Sequence, residues 1–402
     1  MGGGRHWLLS ATMGLGHDRV IRPLKEGAMD GKVVAIGNEA ESSWLERAFL
    51  NSTTRFYNFA SRQEDRSRLG HFVFETIDRF QRFPDLRPGE DLSTPTVNNR
   101  RIDRLLAAGF GAKAFAEIGR RPAPCLSTFY LATQEALRYT ELPVYQVVPD
   151  AEFNRVYLPS EPRHPRLTNL VACAVAADRM RAYGADPQRL HVTGCPLPLE
   201  NTGRDGEILR SDHAARTARL SAAGTAPLAL MFCIGGAGAQ LATAFDLLDQ
   251  LLPEIREGRY RYVVSCGTNA AVHAAVEKRL ARLGLAEPAA GIVHGRTKET
   301  YFEAFNAALR ATDLLLTKPS ELVFYCGLGL PVLLTHPLGH QEFRNQDYLI
   351  GTGGGESLDR TRFPAYLREG IRSGRFVERA ERGLATGHAQ ARERILALVH
   401  GA

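Results

Sequence analysis

The stretch "TKPSELVFYCGLGLPVLLTHPLGHQEFRNQ", Thr317 to Gln346, decides how the chain is read. "LLLT" and "PVLLT" are short apolar runs bounded by turn residues, the pattern of strands buried on both faces of a parallel sheet. The first ends on Lys318-Pro319, and the second runs into a segment carrying His340, Gln341, Glu342 and Asn345. A free ammonium at the end of a buried strand is costly without an anionic partner, so Lys318 marks a place where an anion is expected.

Working outward, the same alternation of strand-like and helix-like runs fills the chain. "HWLLSAT" precedes "GLGH", and "GKVVAIG" follows. "LPVYQVV" ends at Pro149-Asp150, "TNLVACAV" precedes a helical stretch, and "RLHVTG" ends at Cys195-Pro196. After a polar, helix-prone interval a second series begins with "PLALMFCI", then "YRYVVSCG" and "AGIVHG". A helix over the stretch after Gln240 would align Leu241, Phe245, Leu248 and Leu252. Another would align Phe302, Phe305 and Leu309. This β/α alternation predicts an α/β protein of two doubly wound, Rossmann-like domains facing a cleft. The expected divisions are an N-terminal domain over residues 1–200, a linker over 201–226, a C-terminal domain over 227–375 and terminal helices over 376–402.

Composition agrees. A chain of 402 residues exceeds what one compact core usually holds, and 44% hydrophobic with 23% charged residues reads as globular. No apolar run approaches the roughly 20 residues that span a bilayer, and the N-terminal apolar run is too short for a signal peptide. The six cysteines are scattered without a CxxC pair, which predicts reduced thiols in a cytoplasmic protein and no metal centre. The formal charge of +6 matches anionic ligands or an anionic membrane surface, but no nucleic-acid-binding motif accompanies it.

In open α/β sheets ligands sit outside the carboxyl ends of strands, so the loops after strands are the candidate site. "MGLGHDR" places Gly14, Gly16 and His17 where a strand turns into a helix. Its amides can meet an anion, and its imidazole can serve as base or orienting group. "CIGGAGAQ" places Gly235, Gly236 and Gly238 at a second such turn. It has neither the dinucleotide spacing nor a P-loop lysine, which disfavours NAD and ATP chemistry. "SCGTN" contributes Asn269, and "VHGRT" contributes Arg296, a cation able to meet phosphate or simply solvated. The amide and carboxylate groups of Gln341, Glu342 and Asn345, with His340, suit a ligand rich in hydroxyls.

These loops, in this order, resemble the two-domain nucleotide-sugar glycosyltransferases of the GT-B class. The resemblance is to the branch of monogalactosyldiacylglycerol synthase, the processive diacylglycerol glucosyltransferases and MurG. "SATMGLGH" is similar to that branch's Ser-x-x-x-Gly-x-Gly-His, and "ADRMRAYGADPQRLHVTGCPL" to the segment ahead of its linker. "VVPDAEF" places Asp150 at its acidic strand end. "CIGGAGA", "SCGTN" and "ATDLLLTKP…GLGLPVLL…GHQEFRNQDYLIGTGGG" follow. The match runs from about Leu8 to Gly355 and is slight between Gly37 and Pro143.

The resemblance implies an inverting sugar transfer from a nucleotide-diphosphate sugar, with UDP as the expected nucleotide, to an acceptor hydroxyl of a lipid or small molecule. No tightly bound cofactor is implied. Gly235 and Gly236 would face the diphosphate, Gln341 and Glu342 the sugar, and His17 the reaction centre. Asp150 and His17 are both candidates for the base. Two departures stand out. The Lys-Pro loop is shorter than the family's, and the position of its ribose-binding glutamate falls near Phe324, which leaves Glu321 as the substitute. The poorly matched stretch is rich in Phe and Arg (Phe56, Phe59, Phe72, Phe74, Phe80, Phe83), a composition suited either to helix cores or to peripheral contact with the inner face of a membrane. The rival readings are a nucleotide-sugar 2-epimerase and a non-catalytic binding or partner protein on the same fold.

Overall fold

The structure, a computed structural model, describes residues 5–11, 15–36, 83–87, 89–222, 226–235, 238–337, 340–387 and 390–401. The chain forms two compact units. The first reaches to Pro196 and takes back the chain from Gln390, and the second begins at Leu197.

The first unit is built on strands β1 (His6–Ala11), β2 (Ala28–Ile36), β3 (Cys125–Ser127), β4 (Val144–Val148), β5 (Leu167–Val171) and β6 (Leu190–Val192). They pair in parallel in the order β2-β1-β3-β4-β5-β6. The second unit carries β7 (Leu228–Cys233), β8 (Tyr260–Gly267), β9 (Ala290–His294), β10 (Leu314–Thr317), β11 (Val332–Leu334) and β12 (Gly355–Ser357). Their order is β12-β11-β10-β7-β8-β9, again parallel throughout. Read from β9, this is the 3-2-1-4-5-6 order of the doubly wound dinucleotide fold. The central strands β1, β7 and β10 are buried at every residue, as strands covered on both faces must be. The strand order reverses between β7 and β10 in the second sheet. In the first it reverses between β1 and β3 among the described strands.

The helices bury the faces that their spacing dictates, with one rotation. Helix Leu241–Arg256 places Ala244, Leu247, Leu248, Leu251 and Ile255 in the core. Leu241, Phe245 and Leu252, expected at its centre, flank that face and are only partly buried. Helix Lys298–Arg310 buries Phe302, Phe305 and Leu309 as its periodicity predicts.

The polar interval expected as a linker contains helix Glu207–Ser221, which buries Leu209, Arg216 and Leu220. Arg216 is 2% exposed. Its Nε donates to Thr312 O at 2.8 Å, and its Nη1 donates to Leu328 O at 2.9 Å and Gly329 O at 3.0 Å. The guanidinium thus satisfies carbonyls where helical segments end. Its burial lowers its pKa to about 10, with Asp313 opposing the shift. Composition marks the segment as polar, but its one buried arginine makes it part of the second unit.

All six cysteines are buried and free. Burial pushes Cys125, Cys266 and Cys326 up to about 12, so these thiols stay protonated. Phe83, the last of the Phe/Arg run, is buried with the Arg179 guanidinium 5.2 Å above its ring, which is a core placement. The other phenylalanines of that run lie outside the described residues.

The first unit is closed by helix Ala391–His400. Arg392 Nε donates to Pro23 O at 2.9 Å and the same guanidinium pairs with Glu26. His6 is fully buried. Its Nε2 lies 3.0 Å from Leu24 O, which can only accept, so Nδ1 accepts from His400 Nε2 at 3.0 Å. Burial is the main force that lowers His6 to about 4. The Leu24 bond opposes it and the His400 charge adds to it.

Between pH 6.5 and 4 the unfolded chain therefore binds a proton at His6 that the folded chain does not. Stability is complete above about pH 6.5 and falls as the pH is lowered toward 4, by up to about 3 kcal/mol. Urea titrations across this window should show the slope in the wild type and lose it in His6→Gln. A wild-type stability flat from pH 7 to 4 would refute the assignment.

Candidate functional site

Both sides of the second unit's switch point carry polar chemistry. After β7 the chain turns tightly, with Gly238 N donating to Gly235 O at 2.7 Å. Gly238 has φ +82°, and a Cβ there would meet Val272 Cγ2 at 3.1 Å, so the position needs glycine twice over. A Cβ on Gly235 would lie 3.5 Å from Lys318 Cε, which places the glycine turn against the lysine after β10. Gly236 lies outside the described residues.

Lys318 has its anion within the protein. Its Nζ pairs with Glu342 Oε1, and both side chains are largely buried. Glu342 belongs to helix His340–Thr352, which follows β11. One turn along, Asn345 is 1% exposed and its Nδ2 donates to Pro319 O at 3.3 Å. Residues three apart share a helix face, so Glu342 holds the lysine while Asn345 holds the proline beside it. This accounts for the spacing of Lys-Pro and Gln-Glu-x-x-Asn. His340 and Gln341 open the same helix and are half-buried.

The remaining candidates are placed less evenly. Glu321 is half-buried at the start of the 3-10 helix Glu321–Leu328. Phe324 is buried with its ring 5.2 Å from Tyr348. Asn269 caps helix Ala270–Leu283, its Oδ1 accepting from Ala271 N at 3.1 Å and Val272 N at 3.2 Å. A Cβ on Gly238 would lie 3.8 Å from Asn269 Nδ2, so the cap adjoins the glycine turn. Arg296 follows β9, the edge strand two places from β7, and is exposed.

Sequence reasoning passed over Gln240, Thr335 and His336. Gln240 Nε2 donates to His336 O at 3.0 Å, and Thr335 Oγ1 donates to Gln240 Oε1 at 2.6 Å. The available signal was a glutamine where a helix opening favours Ser, Thr, Asp or Asn.

In the first unit, Gly16 and His17 begin helix Gly16–Ile21 directly after β1, while Gly14 lies outside the described residues. The His17 ring meets Phe129 edge-on at 5.2 Å, and Thr128 Oγ1 donates to His17 O at 3.3 Å. Thr128 and Phe129 follow β3, so His17 sits at this sheet's own switch point. Asp150 follows β4 and is 9% exposed. Tyr157 lies within its field. Burial first, and the Asp150 charge second, raise the Tyr157 phenol well above its ordinary range. Among the described residues no three His, Cys, Asp or Glu side chains form a metal-binding group. None of their helices is long and apolar enough to cross a membrane.

A family model described as a domain of unknown function, DUF6938, matches residues 206–290. No curated protein matches the chain. Among solved structures, the UDP-GlcNAc 2-epimerase from Neisseria meningitidis bound to UDP-GlcNAc is 11% identical. It aligns over 99% of this chain and 100% of that one, with a TM-score of 0.53. The UDP co-structure of S. aureus MnaA is 12% identical over 98% of this chain and 96% of that one, at a TM-score of 0.50. MurG from Acinetobacter baumannii is 12% identical over 99% and 100%, also at 0.50. These likenesses define the fold, two Rossmann-like domains of the GT-B class.

The Asn345 clamp is open to a direct test. Asn345→Leu withdraws an amide donor from the buried Pro319 carbonyl and should lower stability by about 1–3 kcal/mol, measured by chemical denaturation. No change in the unfolding midpoint would show that the clamp contributes nothing.

Proposed function

We propose that the protein binds a uridine-diphosphate sugar at the switch point of its second unit and transfers the sugar to an acceptor hydroxyl. The observation that carries this reading is Lys318, a half-buried cation set against a tight glycine turn at the start of helix Leu241–Arg256. A cation, a glycine turn and a helix N-terminus together suit a diphosphate. The similar structures, which include UDP and UDP-GlcNAc complexes, support the same ligand class. So does the motif resemblance to the lipid-glycosylating and MurG branch, which favours an inverting hexosyltransferase working in the cytoplasm, with a lipid at the inner membrane face or a small molecule as acceptor.

The reaction balances without a cofactor. The acceptor oxygen forms a bond to the anomeric carbon as that carbon's bond to the β-phosphate oxygen breaks. The hydroxyl proton passes to His17 or Asp150, and the nucleoside diphosphate leaves with its charge met by Lys318 and the helix dipole. Glu342 pairs with Lys318, so a bound phosphate competes with an internal carboxylate.

Thermal unfolding with UDP, GDP, dTDP, ADP and their sugars tests the reading first, since a ligand of the folded state raises the melting temperature. UDP and one UDP-sugar should produce the shift, and Lys318→Ala should abolish it. Glu342→Gln, which removes the competing carboxylate charge, should tighten UDP binding by about fivefold, or about 1 kcal/mol. His17→Ala should leave the shift intact and stop transfer if His17 is the base; unchanged transfer would pass the role to Asp150. No shift with any nucleotide would overturn the proposal in favour of a partner protein. The epimerase structures motivate a second reading, 2-epimerisation. It is recognised by conversion of UDP-GlcNAc to its 2-epimer with no acceptor present.

A further inference from the structure

Gln240 opens helix Leu241–Arg256 with φ +68° and ψ 18°. Apart from Asp30, it is the only non-glycine among the described residues with positive φ. A side chain in this left-handed region carries a backbone cost, which persists only where other contacts hold it. Gln240 also makes no capping bond to its own helix, and that helix has no acidic residue in its first turn. The first-turn amides and the positive end of the dipole are thus left without a side-chain counterpart from these positions.

The side chain is committed elsewhere. It is 5% exposed and both ends of its amide are bonded to the segment after β11, through His336 O and Thr335 Oγ1. Thr335 N in turn donates to Thr317 O at 2.9 Å, the residue directly before Lys318. One glutamine therefore ties the glycine turn after β7 to the chain after β11, and through Thr335 to the end of β10.

We infer that Gln240 is a positioning residue for the diphosphate of the donor. It holds the glycine turn and Lys318 in mutual register while keeping its own side chain off the helix amides. This rests on the donor-binding reading above. It goes further by naming the residue that sets the selectivity for a diphosphate over a monophosphate.

The test compares UDP and UMP affinities by calorimetry in the wild type, Gln240→Gly and Thr335→Val. Gln240→Gly removes the amide and relieves the strained φ together, so loss of binding is not a consequence of new strain. Thr335→Val keeps the volume and removes the hydroxyl. Both variants should weaken UDP about tenfold and leave UMP within about twofold, collapsing the ratio between them. Equal losses for UDP and UMP would mean that Gln240 is merely structural, and unchanged UDP affinity would also overturn the inference. A wild type that binds neither nucleotide removes the donor reading itself, an outcome distinct from both.

Discussion

Strands buried on both faces leave polar chemistry few places to stand. β7 and β10 are apolar and inaccessible along their length, so a cation such as Lys318 is tolerable only where the strand ends and a counter-charge can approach. The reversal of strand order between these two strands keeps their following loops from being covered by one continuous run of crossover helices. The glycine turn, the lysine, its glutamate and the asparagine clamp all follow from that geometry. The site is a product of the topology before it is a product of particular residues.

Within that frame the side chains divide their labour. Glu342 pairs with Lys318, and Asn345 bonds the peptide beside it. Gln240 joins the two sides of the switch point. The first unit repeats the logic in a plainer form. His17 and Phe129 adjoin at its switch point and Asp150 follows the next strand, with Tyr157 feeling its charge.

The parallel sheets were legible because "LLLT", "PVLLT" and "PLALMFCI" are apolar without alternation, a pattern with few other physical meanings. Strand order was not legible, since nothing in a strand's own residues names its neighbour. The segment around Arg216 is polar in composition, yet four carbonyls around its guanidinium hold that side chain buried, which no local pattern announces. Arg296, read either as a phosphate contact or as a solvated cation, is exposed after the edge strand β9. Asn269 reads equally well as a cap or a ligand contact, and its side chain is engaged as a cap. Gln240 was missed because its partners lie 95 and 96 residues away, beyond any local pattern.

The return of helix Ala391–His400 to the first unit sets an order of events during synthesis. His6 and His400 are 394 positions apart, yet they share a hydrogen bond at the start of β1. The first unit can collapse as it emerges, but the contacts of helix Ala391–His400 with His6, Pro23 and Glu26 form only after the second unit has been made. Closure of so long a loop comes late, because its entropy must be met before the contact rewards it. For that interval the nascent chain carries an unfinished domain whose closing helix is encoded beyond the whole of the second unit.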